Sequence, residues 1–70
     1  MKVIITDKLA PAGVQLFKDA GYDVKEAWAL PKEDLPSIIG DYDAIVIRSA
    51  TKLKGALLDA ATNLKVVGRA

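Results

Sequence analysis

Short, β-branched apolar runs punctuate the chain, separated by stretches in which apolar residues recur at helical spacing. Lys2-Val3-Ile4-Ile5-Thr6 is the first run, Ala44-Ile45-Val46-Ile47 is the most continuous, and Leu64-Lys65-Val66-Val67-Gly68 is the last. Near-unbroken runs of this length suit strands buried on both faces of a parallel sheet. Tyr22 to Ala29 is more polar and partly alternating, which predicts a half-exposed edge strand blunted by Lys25 and Glu26. Leu9-Ala10-Pro11-Ala12 opens a first helix, with Pro11 suited to a first turn and Gly21 to a carboxyl cap. Its expected buried face is Ala12, Leu16 and Ala20, with Val14 and Phe17 beside them and Gln15, Lys18 and Asp19 opposite. A second, short helix is expected from Glu33 to Ile39, because acidic residues favour its start, Pro36 is tolerated only in a first turn, and Gly40 ends it. A third is expected from Lys52 to Thr62, with Leu53, Ala56, Leu57 and Ala60 on one stripe, Gly55 as a weak point and Asn63 at the end.

Strand and helix therefore alternate three times before a final strand, which implies an α/β architecture with parallel pairing. The expected form is a flavodoxin-like β-α-β-α-β-α-β half-domain, a single partial domain over residues 1–70. Its sheet order is 2-1-3-4, with the usual fifth strand missing. That leaves Leu64–Gly68 as an open apolar edge, a hazard for a lone chain. Another part of a longer protein or a second copy of this chain is expected to cover it, so a homodimer through that edge is one expectation. Trp28 and Tyr22 are expected to serve packing rather than ligand stacking.

Composition narrows the function. Ten basic and nine acidic residues give a net charge of +1, which argues against a general nucleic-acid or membrane-surface partner. Without cysteine or histidine the chain has no thiolate and lacks the commonest general base and metal ligand, so no catalytic residue and no metal site are expected. No apolar run approaches the roughly 20 residues of a membrane span. The amino terminus starts a strand without a signal-peptide layout, and a cytoplasmic setting is expected.

The chemistry gathers at strand ends. Arg48 and Arg69 each follow an apolar run, and on the expected topology those runs are neighbours, about 4.8 Å apart. Two guanidinium groups so placed repel unless an anion lies between them, and ligands of open parallel sheets bind beyond the strands' carboxyl ends. Ser49 and Thr51 add hydroxyls, and a helix start adds amides, all suited to a phosphate or carboxylate. Against this stand plainer readings: solvated or carboxylate-paired arginines, a hydroxyl that caps the third helix, Asp7 as a turn residue or partner of Lys8, and Lys52 and Lys54 on a solvated helix face. Glycines at 13, 21, 40, 55 and 68 form no Gly-x-Gly-x-x-Gly and no Walker loop. Thr6-Asp7-Lys8-Leu9-Ala10 lacks the hydroxyls expected of a flavin-phosphate loop. Arg48 stands where a phosphorelay receiver needs its acceptor aspartate.

Ile45-Val46-Ile47-Arg48-Ser49-Ala50-Thr51-Lys52 followed by Asn63-Leu64-Lys65-Val66-Val67-Gly68-Arg69-Ala70 closely resembles the amino-terminal region of the D-3-phosphoglycerate dehydrogenases, within the D-2-hydroxyacid dehydrogenase family. Lys2 to Ala10 and Ile39 to Ala44 fit the same family. The resemblance implies a substrate-binding domain separate from a Rossmann domain for NAD, and oxidation of 3-phosphoglycerate to 3-phosphohydroxypyruvate at the entry to serine biosynthesis. It matches Arg48 and Arg69 to arginines that hold the substrate's phosphate, and Ser49, Ala50 and Thr51 to the loop around it. The family's glycine-rich carboxylate loop, NAD fingerprint and catalytic histidine, acid and arginine have no counterpart among these 70 residues. The chain is thus expected to be a fragment, inactive alone, with no cofactor of its own and at most weak binding of a phosphorylated 2-hydroxy acid. The rival readings are a self-associating structural module and a minimal or engineered α/β domain without a ligand.

Overall fold

A computed structural model describes residues 1–69. Four parallel strands form one sheet: β1 (Lys2–Ile5), β2 (Asp23–Glu26), β3 (Ala44–Ile47) and β4 (Val66–Arg69), in the order β2-β1-β3-β4. This is the expected flavodoxin-like order. Its register pairs Val3 with both Val24 and Ala44, Ala44 with Val66, and Ile47 with Arg69. The crossovers carry α1 (Pro11–Asp19), α2 (Leu35–Ile38) between 3-10 turns at Lys32–Asp34 and Ile39–Asp41, and α3 (Gly55–Ala60). Pro36 lies in the first turn of α2, where its missing amide costs no hydrogen bond.

The pleat sorts β1 and β3 into two cores. Ile4, Ile45 and Ile47 face α2 and α3 and pack with Ala27, Leu35, Ile39 and Leu57. Val3, Ile5, Ala44 and Val46 face α1 and pack with Val14, flanked by Leu9, Phe17, Val24 and Trp28. Each fully buried isoleucine contributes about 1.5–3 kcal/mol. At the amino-terminal edge Asp43 ties three strands together. Its carboxylate accepts from the Lys2 amide at 2.8 Å, its amide donates to the Lys2 carbonyl at 2.8 Å, and its carbonyl accepts from the Lys65 amide at 2.7 Å.

Three expectations need correction. The buried face of α1 is Val14 with Phe17; Ala12 and Ala20 are exposed and Leu16 is 71% exposed. Within α1, Val14 and the partly buried Phe17 are the side chains packed against the sheet's core. The third helix begins at Gly55, not Lys52. Lys54 donates its amide to the Lys52 carbonyl at 3.1 Å in a tight turn, and Gly55 takes φ +59°, so the backbone turns before the helix winds. That helix ends at Ala60, and Asn63 instead donates its side-chain amide to the Gly40 carbonyl at 2.5 Å. The last strand starts at Val66 rather than Leu64, because the Lys65 and Val66 amides turn to Asp43, and it runs through Arg69. β2 is a polar edge strand, as expected. Gly21, at φ +85°, closes α1 as its carboxyl cap, with its amide 3.0 Å from the Lys18 carbonyl.

Candidate anion-binding site

Three segments meet at the carboxyl end of the sheet: Thr6 and Asp7 after β1, Lys32 after β2, and Arg48 to Thr51 after β3. Asp7 lies at their centre and is 4% exposed. Its Oδ2 accepts from the Arg48 amide at 2.7 Å and the Thr51 amide at 3.1 Å. Its Oδ1 accepts a short hydrogen bond from the Thr51 hydroxyl and another from Lys32 Nζ at 3.1 Å. The same ammonium donates to the Thr6 carbonyl at 3.0 Å and to Thr51 Oγ1 at 2.6 Å. Every buried side-chain polar atom among the described residues has a partner.

Burial by itself pushes the Asp7 carboxyl up, since it disfavours the charged form. The Thr51 hydroxyl, the Arg48 amide, the Lys32 ammonium and the Thr51 amide act the other way and outweigh it. They hold the carboxyl at about 2, against 3.8 for an ordinary aspartate. A permanent anion therefore sits inside the sheet's carboxyl edge and fixes the path of the loop after β3. Lys8 does not pair with it; its carbonyl instead accepts from Arg48 Nη1 at 3.3 Å.

The sequence-derived site residues separate into two groups. Arg48, Ser49, Ala50 and Arg69 are exposed, while Thr51 is buried, with its hydroxyl and its amide both turned to Asp7. Thr51 thus shapes the loop and offers no free hydroxyl to a ligand. Neither Ser49 nor Thr51 caps α3, which starts four residues beyond Thr51 and has no side-chain cap. Arg48 and Arg69 do end adjacent strands, since Arg69 pairs with Ile47 and Arg48 is the next residue. They leave the sheet on opposite faces. Arg69 continues the face of Ile47 toward α3, whereas Arg48 reaches Lys8 on the α1 side. Lys32 and the central position of Asp7 were missed from sequence. The available signal was that Asp7 and Thr51 end segments the topology makes neighbours.

An NAD pyrophosphate on a parallel sheet sits on free amides of the first crossover, in a glycine-lined turn. Here that turn carries the buried Asp7 carboxylate and no glycine. These residues do not fit the dinucleotide.

With this geometry in view, comparison with known proteins settles the class. Residues 3–70 match the family model of the D-isomer specific 2-hydroxyacid dehydrogenase catalytic domain, and the chain belongs to that family. Within it, the chain is 41% identical over 69 residues to the D-3-phosphoglycerate dehydrogenase of Sus scrofa, covering 99% of this chain and 13% of that protein. It is 33% identical over 70 residues to the enzyme of the same name from Archaeoglobus fulgidus, covering 100% of this chain and 13% of the relative. The crystal structure of the PH0520 protein from Pyrococcus horikoshii OT3 superposes with a TM-score of 0.86 at 28% identity, over 97% of this chain and 20% of that one. The chain thus spans about 13% of the length of the phosphoglycerate dehydrogenases it matches. No described helix is long and apolar enough to cross a membrane.

Proposed function

We propose that this chain is part of the substrate-binding region of an NAD-dependent D-3-phosphoglycerate dehydrogenase, and that its own task is to hold the phosphate of 3-phosphoglycerate. In this reading it is inactive alone and a weak phosphate binder. Oxidation to 3-phosphohydroxypyruvate and the site for NAD belong to residues it does not contain. The observation that supports the reading is the register of β3 with β4, which sets Arg69 beside Ile47 and so ends both arginine-bearing strands at the same edge of the sheet, where an anion beyond that edge could be reached from either face. Asp7 anchors the loop from Arg48 to Thr51 through the two amides at its ends. A phosphate bridging the strand ends would take Arg48 from the Lys8 carbonyl, a neutral acceptor at 3.3 Å, and give it a charged one.

Titration of the chain with 3-phosphoglycerate, followed by amide NMR, tests this. Shifts are expected at residues 48–51 and at Arg69. A hydrogen bond to a charged group contributes roughly 1.5–3 kcal/mol, so Arg48→Ala or Arg69→Ala should weaken binding at least about tenfold. No shift at Arg48 or Arg69 with millimolar ligand would defeat the reading.

A second reading, self-association through β4, draws on a separate observation. Val66 and Val67 are 50% and 51% exposed on an edge strand whose one neighbour among the described residues is β3, and the adjoining face opens a groove lined by Val3, Phe17, Tyr22, Val46, Val66 and Gly68. Edge pairing between two copies would bury both features. Sedimentation across a wide concentration range decides it, because a strict monomer at high concentration excludes the dimer.

A further inference from the structure

We propose a second anion site in the cavity between α2 and the loop leading to α3, suited to a small divalent anion and independent of Arg48. The cavity is an open cleft of about 360 Å³, within the roughly 300–1,000 Å³ of small-molecule sites. It opens at the carboxyl-terminal side of the sheet, where ligands of open parallel sheets bind. Neither Arg48 nor Arg69 lines it, although Ala50 and Thr51, from the loop after β3, do. Lys32, Lys52 and Lys54 also do, against Glu33 and the Asp7 carboxylate that Lys32 bridges, which leaves an excess of one positive charge carried by Lys52 and Lys54.

Local structure explains why both lysines line the cavity. The tight turn that carries the Lys54 amide to the Lys52 carbonyl sends Leu53 into the core beside Leu57, and both flanking lysines line the cavity. Lys32 spends its three donors on the Thr6 carbonyl, Asp7 and Thr51, so it supplies field rather than a direct bond. Lys52 and Lys54 have no salt-bridge partner among the described residues. Leu35, Pro36, Ala56 and Leu57 form an apolar wall, against which a charge interaction is screened less than in open water. A small divalent anion in the cavity would meet both Lys52 and Lys54, which are exposed and unbridged among the described residues. Inorganic phosphate, a phosphate monoester and a short dicarboxylate share that chemistry.

The site does not depend on the reading of Arg48 and Arg69, and one experiment separates the two. The whole chain is titrated with inorganic phosphate and, in parallel, with malonate at constant ionic strength, with amide shifts recorded for the native protein, for K52Q/K54Q and for R48A. The expected result is saturable shifts at residues 32–36 and 52–57 that persist in R48A. In K52Q/K54Q the apparent Kd should rise at least about fivefold. Both substituted lysines are exposed, so the variant retains the native spectrum elsewhere. A response to phosphate but not malonate identifies a phosphate site; a response to both identifies a general dianion site. Shifts that vanish in R48A, shifts unchanged in K52Q/K54Q, or no shift in the cavity amides would overturn the proposal.

Discussion

The buried carboxylate of Asp7 makes a quantitative prediction about acid stability. Its pKa in the folded chain is about 2, against 3.8 for an ordinary aspartate. The folded value is the lower one, so ionised Asp7 stabilises the fold above pH 3.8, and that contribution disappears as pH falls through 2. A difference of roughly two units corresponds to on the order of 2 kcal/mol when the group is fully ionised. By the linkage relation roughly half of it remains at pH 3 and little at pH 2. Comparison with Asp7→Asn isolates this curve, because the other carboxylates titrate alike in both proteins and cancel. The introduced asparagine would also meet donors with its own amide group and so lower stability at every pH; only the pH-dependent part belongs to the charge. The assay is urea unfolding of both proteins from pH 6 to pH 2. The stability gap should narrow by about 2 kcal/mol, with most of the change between pH 4 and pH 2. A gap constant within about 0.5 kcal/mol, or a carboxyl midpoint at or above 3.8 by NMR, would refute the account of Asp7 as an internal anion held by four donors.

Lys32→Met should raise the Asp7 pKa toward its ordinary value and cost about 1 kcal/mol, since three other donors remain and the ammonium is half exposed; NMR titration and urea midpoints read the two effects. Ile45→Ala empties a fully buried position between β1 and β4 and should cost about 2–5 kcal/mol. Against a total of roughly 3.5–10 kcal/mol for a chain this size, that loss should abolish or nearly abolish cooperative thermal unfolding by circular dichroism. Gly55→Ala meets no atom within 4 Å but must hold φ +59°, so it should cost about 1–2 kcal/mol through the backbone alone, while Gly55→Asn should recover part of the lost denaturant midpoint.

The sheet was legible because β1 and β3 are nearly pure β-branched runs, which commit to burial on both faces whatever surrounds them. The polar Asp23–Glu26 strand was equally plain as an edge. Helix faces were harder to read. Leu16 fits a helical stripe with Ala12 and Ala20, yet which row of a single covering helix meets a twisted sheet is set by crossover geometry, not by spacing. The start of α3 was hidden for another reason: Leu53 sits at helical spacing from Ala56 and Leu57 and is indeed turned inward, but from a tight turn held by long-range contacts at Thr51. The strand-end placement of Arg48 and Arg69 followed from topology, whereas their opposite faces depend on a register one residue out of step. Asp7 and Lys32 lie 25 residues apart, and no local pattern announces that they meet.

The order β2-β1-β3-β4 also bears on how the chain reaches this structure. Parallel strands offer no hairpin in which to begin, so each pairing waits for a crossover to bring distant residues together. Val3 meets Val24 across 21 residues and Ala44 across 41. Doubling a loop costs only about 0.6 kcal/mol in closure entropy, so chain length scarcely favours one pairing over the other. Burial does: β1 and β3 bring the largest apolar faces, and their union joins a β1-α1-β2 half to a β3-α3-β4 half. The β1–β3 seam thus joins the two halves of the chain, and Asp7 closes it like a clasp, binding the loop of one half with the carboxylate of the other.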